Sequence, residues 1–315
     1  MTEDRADKTF SRKVKEESAK NIPQARHCRL AELAVILFSY GTLTEKDGER
    51  RLVISCEQEM IARKCFTLTE KTFNISVGLH KNEHLYHMEI AGEEFVSEIL
   101  SALKMNSAPI GELKNMGRVS AVLLKTECCR RAFLRSCFFC FGSLSDPQKG
   151  YHLEFVCQKE EQANQIAEIL NDFEITAKIT VRKKYYVVYL KEGSAIVDLL
   201  NILGTHVAMM ELENFRILHE IAGDTNRRVN CETANLLKSV NAANSQIDDI
   251  KYIEKTVGLK TLPKPLYEIA VVRLEHDDAT LKELGEFLDP HVGKSGVNHR
   301  LRKISEIAES LRGKN

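Results

Sequence analysis

Between residues 160 and 204 the hydrophobic period of the chain changes repeatedly. Ala163, Ile166, Ala167 and Leu170 recur at helical spacing, which predicts a helix with one apolar stripe laid against a sheet. Ile175, Ala177, Ile179 and Val181 then alternate with Thr176, Lys178, Thr180 and Arg182. This is the period of a strand with one face on the helices and the other toward solvent or a ligand. Arg182, Lys183 and Lys184 mark a hairpin tip before a strand from Tyr185 to Leu190. The cluster reads either as a solvated turn or as a phosphate contact on the exposed sheet face. The half of the chain that ends with this segment is predicted to run helix, two strands, helix, two strands, helix.

The same plan occurs twice. Displacing the chain against itself by about 100 residues lays Gly41 on Gly142, Leu52 on Leu153, and Cys56 with Glu59 on Cys157 with Glu160. After a slip of one position, Phe73 and Ile75 meet Phe173 and Ile175, Tyr86 meets Tyr186, and Leu100 with Leu103 meets Leu200 with Leu203. Such a period is too long for a solenoid unit and predicts a duplicated half-domain folded about a pseudo-dyad. The expected class is α+β. A helical extension over 1–27 precedes a duplicated αββαββα domain over 28–218, with repeats at 28–105 and 127–204. Residues 219–230, with Gly223, Asp224, Thr225, Asn226, Arg227 and Arg228, read as a polar interdomain connection. The remainder, 231–315, reads as all helix, with Pro263 and Pro265 ending one helix near Gly258 and opening the next.

The last helices carry the candidate chemistry. Thr280 and Glu283 are spaced as a capping box, so a helix starts there, and Leu281, Leu284 and Leu288 give it a buried stripe. Gly285 would admit a second helix at close range, and Pro290 stops the first. After a turn through His291, Val292 and Gly293, Ser295 can cap a further helix whose Val297, Leu301 and Ile304 face inward. Its other faces carry Lys294, Asn298, His299, Arg300, Arg302 and Lys303, the profile of a recognition helix in a helix-turn-helix. Ser295, Asn298 and His299 are the candidates for base edges. The later basic residues, together with Lys282 and the Arg182–Lys184 tip, are candidates for phosphate. The bland alternative is a helical hairpin whose basic last turn complements the helix dipole.

With 315 residues, 43% of them hydrophobic, the chain can build two or three cores. Its 45 basic and 45 acidic side chains cancel, so a footprint for phosphate must be a local patch. Leu30 to Gly41 and Phe133 to Leu144, the longest apolar runs, are broken by Glu32 and Arg135 and are too short to span a bilayer. No membrane partner is expected. Met1 to Lys8 is charged and lacks the apolar core of a secretory signal, so the cytoplasm, at the nucleoid, is the expected compartment. The nine cysteines should then be reduced. Cys137 and Cys140 have CxxC spacing, but in an apolar run with no second pair or histidine at zinc-site spacing. These two, with Cys128 and Cys129, read as packing residues, and neither metal nor cofactor is expected.

Leu33 to Gly41, LAVILFSYG, and Leu134 to Gly142, LRSCFFCFG, are similar to the paired signature helices of the LAGLIDADG homing endonucleases. That resemblance implies two helices packed at the pseudo-dyad and an acid before each closing glycine that holds divalent metal for phosphodiester cleavage. Here those positions are Tyr40 and Phe141, which cannot ligate magnesium, so cleavage should be absent. Asp47 and Asp146, just beyond, read as turn residues. Phe139 and Phe141 are bulky where such helices keep small residues, which predicts looser packing at the dyad.

Asn226 to Leu236, NRRVNCETANL, and Lys294 to Lys303, KSGVNHRLRK, joined to these signature helices, resemble the WhiA family of bacterial regulators. The similarity also takes in Phe10 to Glu17 and Glu127 to Leu134. It implies a transcription factor tied to cell division, chromosome segregation and sporulation. Its expected partners are double-stranded DNA and a protein co-regulator, with no small-molecule substrate. A working LAGLIDADG nuclease and a protein-interaction adaptor with incidental DNA binding are the competing readings.

Overall fold

The computed structural model describes residues 9–313, so the reading of Met1 to Lys8 lies outside the described residues. The first copy of the repeated plan comprises α2 (Arg26–Tyr40), which follows α1 (Phe10–Lys20), then β1 (Gly41–Lys46), β2 (Glu49–Cys56), α3 (Glu59–Phe73), β3 (Leu79–Asn82), β4 (Leu85–Ala91) and α4 (Glu93–Ala102). After the short β5 (Gly111–Glu112) the second copy follows: α5 (Glu127–Phe141), β6 (Gly142–Leu144), β7 (Leu153–Cys157), α6 (Glu160–Asn171), β8 (Lys178–Arg182), β9 (Tyr185–Leu190) and α7 (Gly193–Leu203). The antiparallel sheets have equivalent orders, β3-β4-β2-β1-β5 and β6-β7-β9-β8. One core serves both copies, with Leu33, Ile36, Leu37, Phe138, Phe139 and Phe155 fully buried in it.

The helix pair α2 and α5 occupies the pseudo-dyad and packs closely, contrary to the looser packing expected from its phenylalanines. Ser136 Oγ donates to the backbone oxygen of Glu32 at 2.9 Å, a bond from one helix to the main chain of the other. Phe139 does not spread the pair, because its ring lies under the Lys64 ammonium of α3, 5.2 Å from its centroid. Phe138 meets Phe155 of β7 edge to face at 6.2 Å.

Two other expectations need correction. The alternation from Ile175 to Val181 does not bury a face throughout: Ile175 is buried, but all of β8 is exposed, and Val181 reaches 63%. β8 is an edge strand, and its side chains stay open to solvent. The connection at 219–230 is also helical, lying inside α8 (His206–Thr256). Asp224 to Ala242 is entirely exposed, and its polar side chains support the helix locally, as where Arg227 pairs with Asp224 one turn earlier. No helix among the described residues is long and apolar enough to cross a membrane.

The chain divides into two compact units after His219. The second unit is all helix: the C-terminal part of α8, a 3-10 turn at Leu259–Thr261, α9 (Lys264–Glu275), α10 (Leu281–Glu286) and α11 (Lys294–Arg312). α8 ends just before Gly258, and Pro265 sits in the first turn of α9. Ile250, Ile253, Leu266, Ile269, Leu284, Leu288, Val297, Leu301 and Ile304 form its core. Buried Arg273 ties α8 to the turn before α10, donating to Gln246 Oε1 at 2.9 Å and to the Ala279 oxygen at 2.6 Å.

Candidate nucleic-acid interface

α10 begins at the capping box expected for it. Thr280 N donates to Glu283 Oε2 at 2.7 Å, and Glu283 N donates to Thr280 Oγ1 at 3.4 Å. Gly285 makes the close approach expected of it, to the turn and also to the next helix, where a Cβ would lie 3.3 Å from Val297 Cγ2 of α11. A Cβ there would lie 1.9 Å from the Val292 oxygen, while Val292 N donates to the Gly285 oxygen at 3.0 Å. The turn is thereby folded back on α10. α11 starts earlier than expected: Gly293 is its N-cap and Ser295 is its second residue, without a capping bond. Gly293 supplies the extended cap conformation, and its carbonyl accepts from Val297 N at 3.1 Å.

Val297, Leu301, Ile304 and Ala308 bury one side of α11. Lys294, Ser295, Asn298, His299, Arg302 and Lys303 are exposed on the others, and Arg300 is half-buried. Arg302 meets Glu306 at 3.4 Å and Lys282 meets Glu286 at 3.9 Å, both in well-exposed pairs that compete weakly with a phosphate. The basic residues do not lie in the last turn, as the bland alternative required. The last-turn cation is Arg312, already paired with Asp249 at 2.8 Å. Of the basic residues, Lys294 stands in the first turn, at the positive dipole end where cations are disfavoured and anions favoured.

Arg182, Lys183 and Lys184 belong to the first unit, the α11 face to the second. They do form the β8–β9 turn, with Lys183 at φ 56°. Arg182 lies 3.4 Å from Glu154 of β7, and the Lys184 ammonium lies 5.5 Å from the Tyr185 ring centroid. A carboxylate beside Arg182 weakens that cluster as a phosphate contact.

At the C-terminal ends of α2 and α5, Gly41 and Gly142 turn each helix into its first strand. A Cβ would fall 2.5 Å from the Leu37 oxygen at the first and 2.6 Å from Phe138 Cα at the second. Tyr40 and Phe141, the residues before them, are half-buried. Tyr40 Oη donates to the Cys140 oxygen at 3.0 Å, and burial above all pushes its hydroxyl pKa up, so it stays a neutral donor. Neither residue offers a carboxylate. Asp47 and Asp146 are exposed turn residues, Asp47 left-handed at φ 57° and Asp146 accepting from Gln148 N at 3.0 Å.

Two groupings escaped sequence reading. Glu32, Arg135 and Lys64 form a buried ion cluster between α2, α5 and α3. At the N-terminal ends of α2 and α5, His27, Cys28, Cys128 and Cys129 place one ligand-type atom each within 4.8 Å of the others. Cys128 is exposed, which corrects its reading as a packing residue. Cys137 and Cys140 are buried, and burial pushes both thiols up, Cys140 to about 12. The signal for the cluster was the repeat itself: each pair of neighbours is unremarkable alone, and the two meet only when the repeats are superposed.

A duplicated αββαββα body with signature helices at its dyad, followed by a helical unit presenting a helix-turn-helix, defines a LAGLIDADG-like protein with a DNA-binding module. Family models agree: the WhiA N-terminal LAGLIDADG-like domain matches 26–105, the WhiA LAGLIDADG-like domain 130–222 and the WhiA C-terminal HTH domain 225–308. The probable cell division protein WhiA of Lachnoclostridium phytofermentans is 47% identical over 96% of this chain and 99% of its own length. That of Alkaliphilus oremlandii is 48% identical over 96% and 98%. The crystal structure of full-length DUF199/WhiA from Thermatoga maritima aligns with a TM-score of 0.55 at 25% identity, covering 96% of this chain and 99% of the other. The chain belongs to the WhiA family.

Proposed function

We propose that this chain is a sequence-specific DNA-binding transcription regulator without nuclease activity, serving cell division, chromosome segregation and sporulation at the nucleoid. One observation carries the reading. The exposed side of α11 gathers lysine, arginine, asparagine and histidine near the positive end of the helix. Among the described residues the side chains of Lys294, Asn298, His299 and Lys303 have no partner. Lys294, in the first turn against the dipole, gains most from a polyanion, and Lys303 adds a further unpaired charge. Ser295, Asn298 and His299 lie in the first turns, where a recognition helix meets base edges, and Arg300, Arg302 and Lys303 follow at phosphate range. Lys282 at the start of α10 extends the phosphate-binding side. The relatives named as cell division proteins support the cellular role.

The lack of cleavage follows from Tyr40 and Phe141, since an aromatic ring cannot hold magnesium for attack on phosphorus. Immunoprecipitation of the full chain with genomic DNA should recover a limited set of promoter-proximal sites sharing one motif. Supercoiled plasmid carrying that motif should stay intact with magnesium. Uniform recovery across the genome, or nicking, overturns the reading. A protein co-regulator is a second partner, favoured by Val229, Leu236, Leu237 and Val240 standing exposed along α8.

A further inference from the structure

We propose that His27, Cys28, Cys128 and Cys129 form a structural zinc site joining the N-terminal ends of α2 and α5. His27 Nδ1 lies 3.1 Å from Cys129 Sγ, 3.4 Å from Cys28 Sγ and 4.0 Å from Cys128 Sγ. A tetrahedral Zn²⁺ with ordinary Zn–S and Zn–N bonds separates its ligand atoms by about 3.5 to 3.8 Å. The three nitrogen–sulfur distances bracket that range, and all four ligand atoms lie within 4.8 Å of one another, so side-chain adjustments of up to about an ångström complete the tetrahedron. Three sulfurs and one imidazole nitrogen are a donor set that suits zinc, and hard cations such as magnesium prefer oxygen.

Symmetry and charge support the same assignment. His27 and Cys28 are the second and third residues of α2, and Cys128 and Cys129 are the second and third of α5. His27 and Cys128 are separated by the 101 positions that also relate Gly41 to Gly142, so the four ligands are two equivalent pairs facing across the dyad. Three thiolates and a neutral imidazole leave a zinc centre with one net negative charge. All four ligands lie in the first turns of two helices, whose positive dipole ends favour both the thiolates and that charge. Thr126 Oγ1, 3.3 Å from Cys128 Sγ, can donate to the thiolate as an outer partner.

Burial distinguishes a site from packing. Cys28 and Cys129 are buried, whereas Cys128 and His27 are exposed, so the cluster has an inner wall and an entry path. Four protein ligands leave no open position for water, so the metal would hold the helices and not hydrolyse a substrate. It would lie at the end of the helix pair opposite Tyr40 and Phe141, the positions that correspond to the endonuclease metal sites.

The test uses the full chain purified without chelator and without metal resin. Elemental mass spectrometry should find about one zinc per chain. Metal removal should lower the thermal midpoint of the wild type and leave that of H27A/C128S unchanged. Both substitutions are at exposed positions, and circular dichroism checks that the variant folds. The variant should bind zinc at least about tenfold more weakly in competition with a chromogenic chelator, while C231S, at an exposed cysteine of α8, should bind like the wild type. Cobalt loading should give thiolate-to-cobalt charge-transfer bands in the wild type alone. Failure of the metal-free wild type to compete for zinc overturns the proposal. So does iron in place of zinc, or a disulfide among Cys28, Cys128 and Cys129 in freshly purified protein.

Discussion

Glu32 of α2 and Arg135 of α5 form a 2.8 Å ion pair across the pseudo-dyad, with the carboxylate wholly buried. Lys64 of α3 approaches the other carboxylate oxygen at 3.0 Å, and Arg135 also donates to the Leu203 oxygen at 2.7 Å at the end of α7. Burial pulls the Lys64 ammonium below its usual pKa, and Glu32 opposes that pull. The two charges that interrupt the apolar runs of the sequence are thus each other's partners. Glu32→Ala removes the shared anion and leaves two cations inside the first unit. It should cost about 3–5 kcal/mol in urea unfolding, the range for breaking a buried pair from one side. Loss below about 1 kcal/mol would mean that water reaches the cluster.

Gly285 is set by contact with the turn. In Gly285→Ala the new methyl would meet the Val292 oxygen at 1.9 Å, so the turn must move and its bond to the Gly285 oxygen stretches. We expect the second unit to lose about 1–3 kcal/mol and DNA affinity to fall with it. Gly313→Ala, whose methyl would find an ordinary 3.6 Å contact at the end of α11, should change neither. Calorimetry paired with fluorescence anisotropy on labelled duplex separates the two variants.

The capping box makes the start of α10 sensitive to acid. The Thr280 N–H, above all, holds the Glu283 carboxyl below its ordinary value of 4.5. A depressed folded pKa contributes stability that is present above the unfolded value and lost as pH falls through the folded one. Glu283→Gln should therefore lower the melting temperature of the second unit near neutrality, and the difference from wild type should close below about pH 4. Thr280→Ala removes the other half of the box and should cost about 1 kcal/mol across that range. A Glu283→Gln deficit that persists unchanged into acid would assign the effect to shape and not to charge.

Local and repeating signals were legible in the chain. The capping box, the inward leucines of α10 and the twofold plan depend on residues near in sequence or on a constant offset. What failed depends on the neighbourhood in space. Ile179 and Val181 alternate as a half-buried strand should, yet β8 is an edge and they stay exposed. Residues 219–230 are polar enough for a loop, yet helical pairing continues through them inside α8. Glu32 and Arg135, like His27 and Cys128, meet because the dyad sets α2 against α5, which no window of one copy can reveal. The α11 face was readable because one short helix carries both its buried apolar side and its exposed polar side.

Asn298 and Arg302 lie one turn apart on the exposed side of α11, so exchanging each for alanine separates reading from holding. Arg302 gives up only a well-exposed pair with Glu306 when it takes a phosphate. Arg302→Ala should lower affinity for all duplexes alike and reduce the slope of log affinity against log salt by about 0.9. Asn298 has no charge to release, so Asn298→Ala should leave that slope unchanged. It should instead lose about 1–3 kcal/mol on the preferred site and little on scrambled duplex, which narrows the ratio between them. Titrations at several salt concentrations on both duplexes measure the two effects together. If both variants shifted the slope and neither narrowed the ratio, α11 would bind the backbone without reading bases.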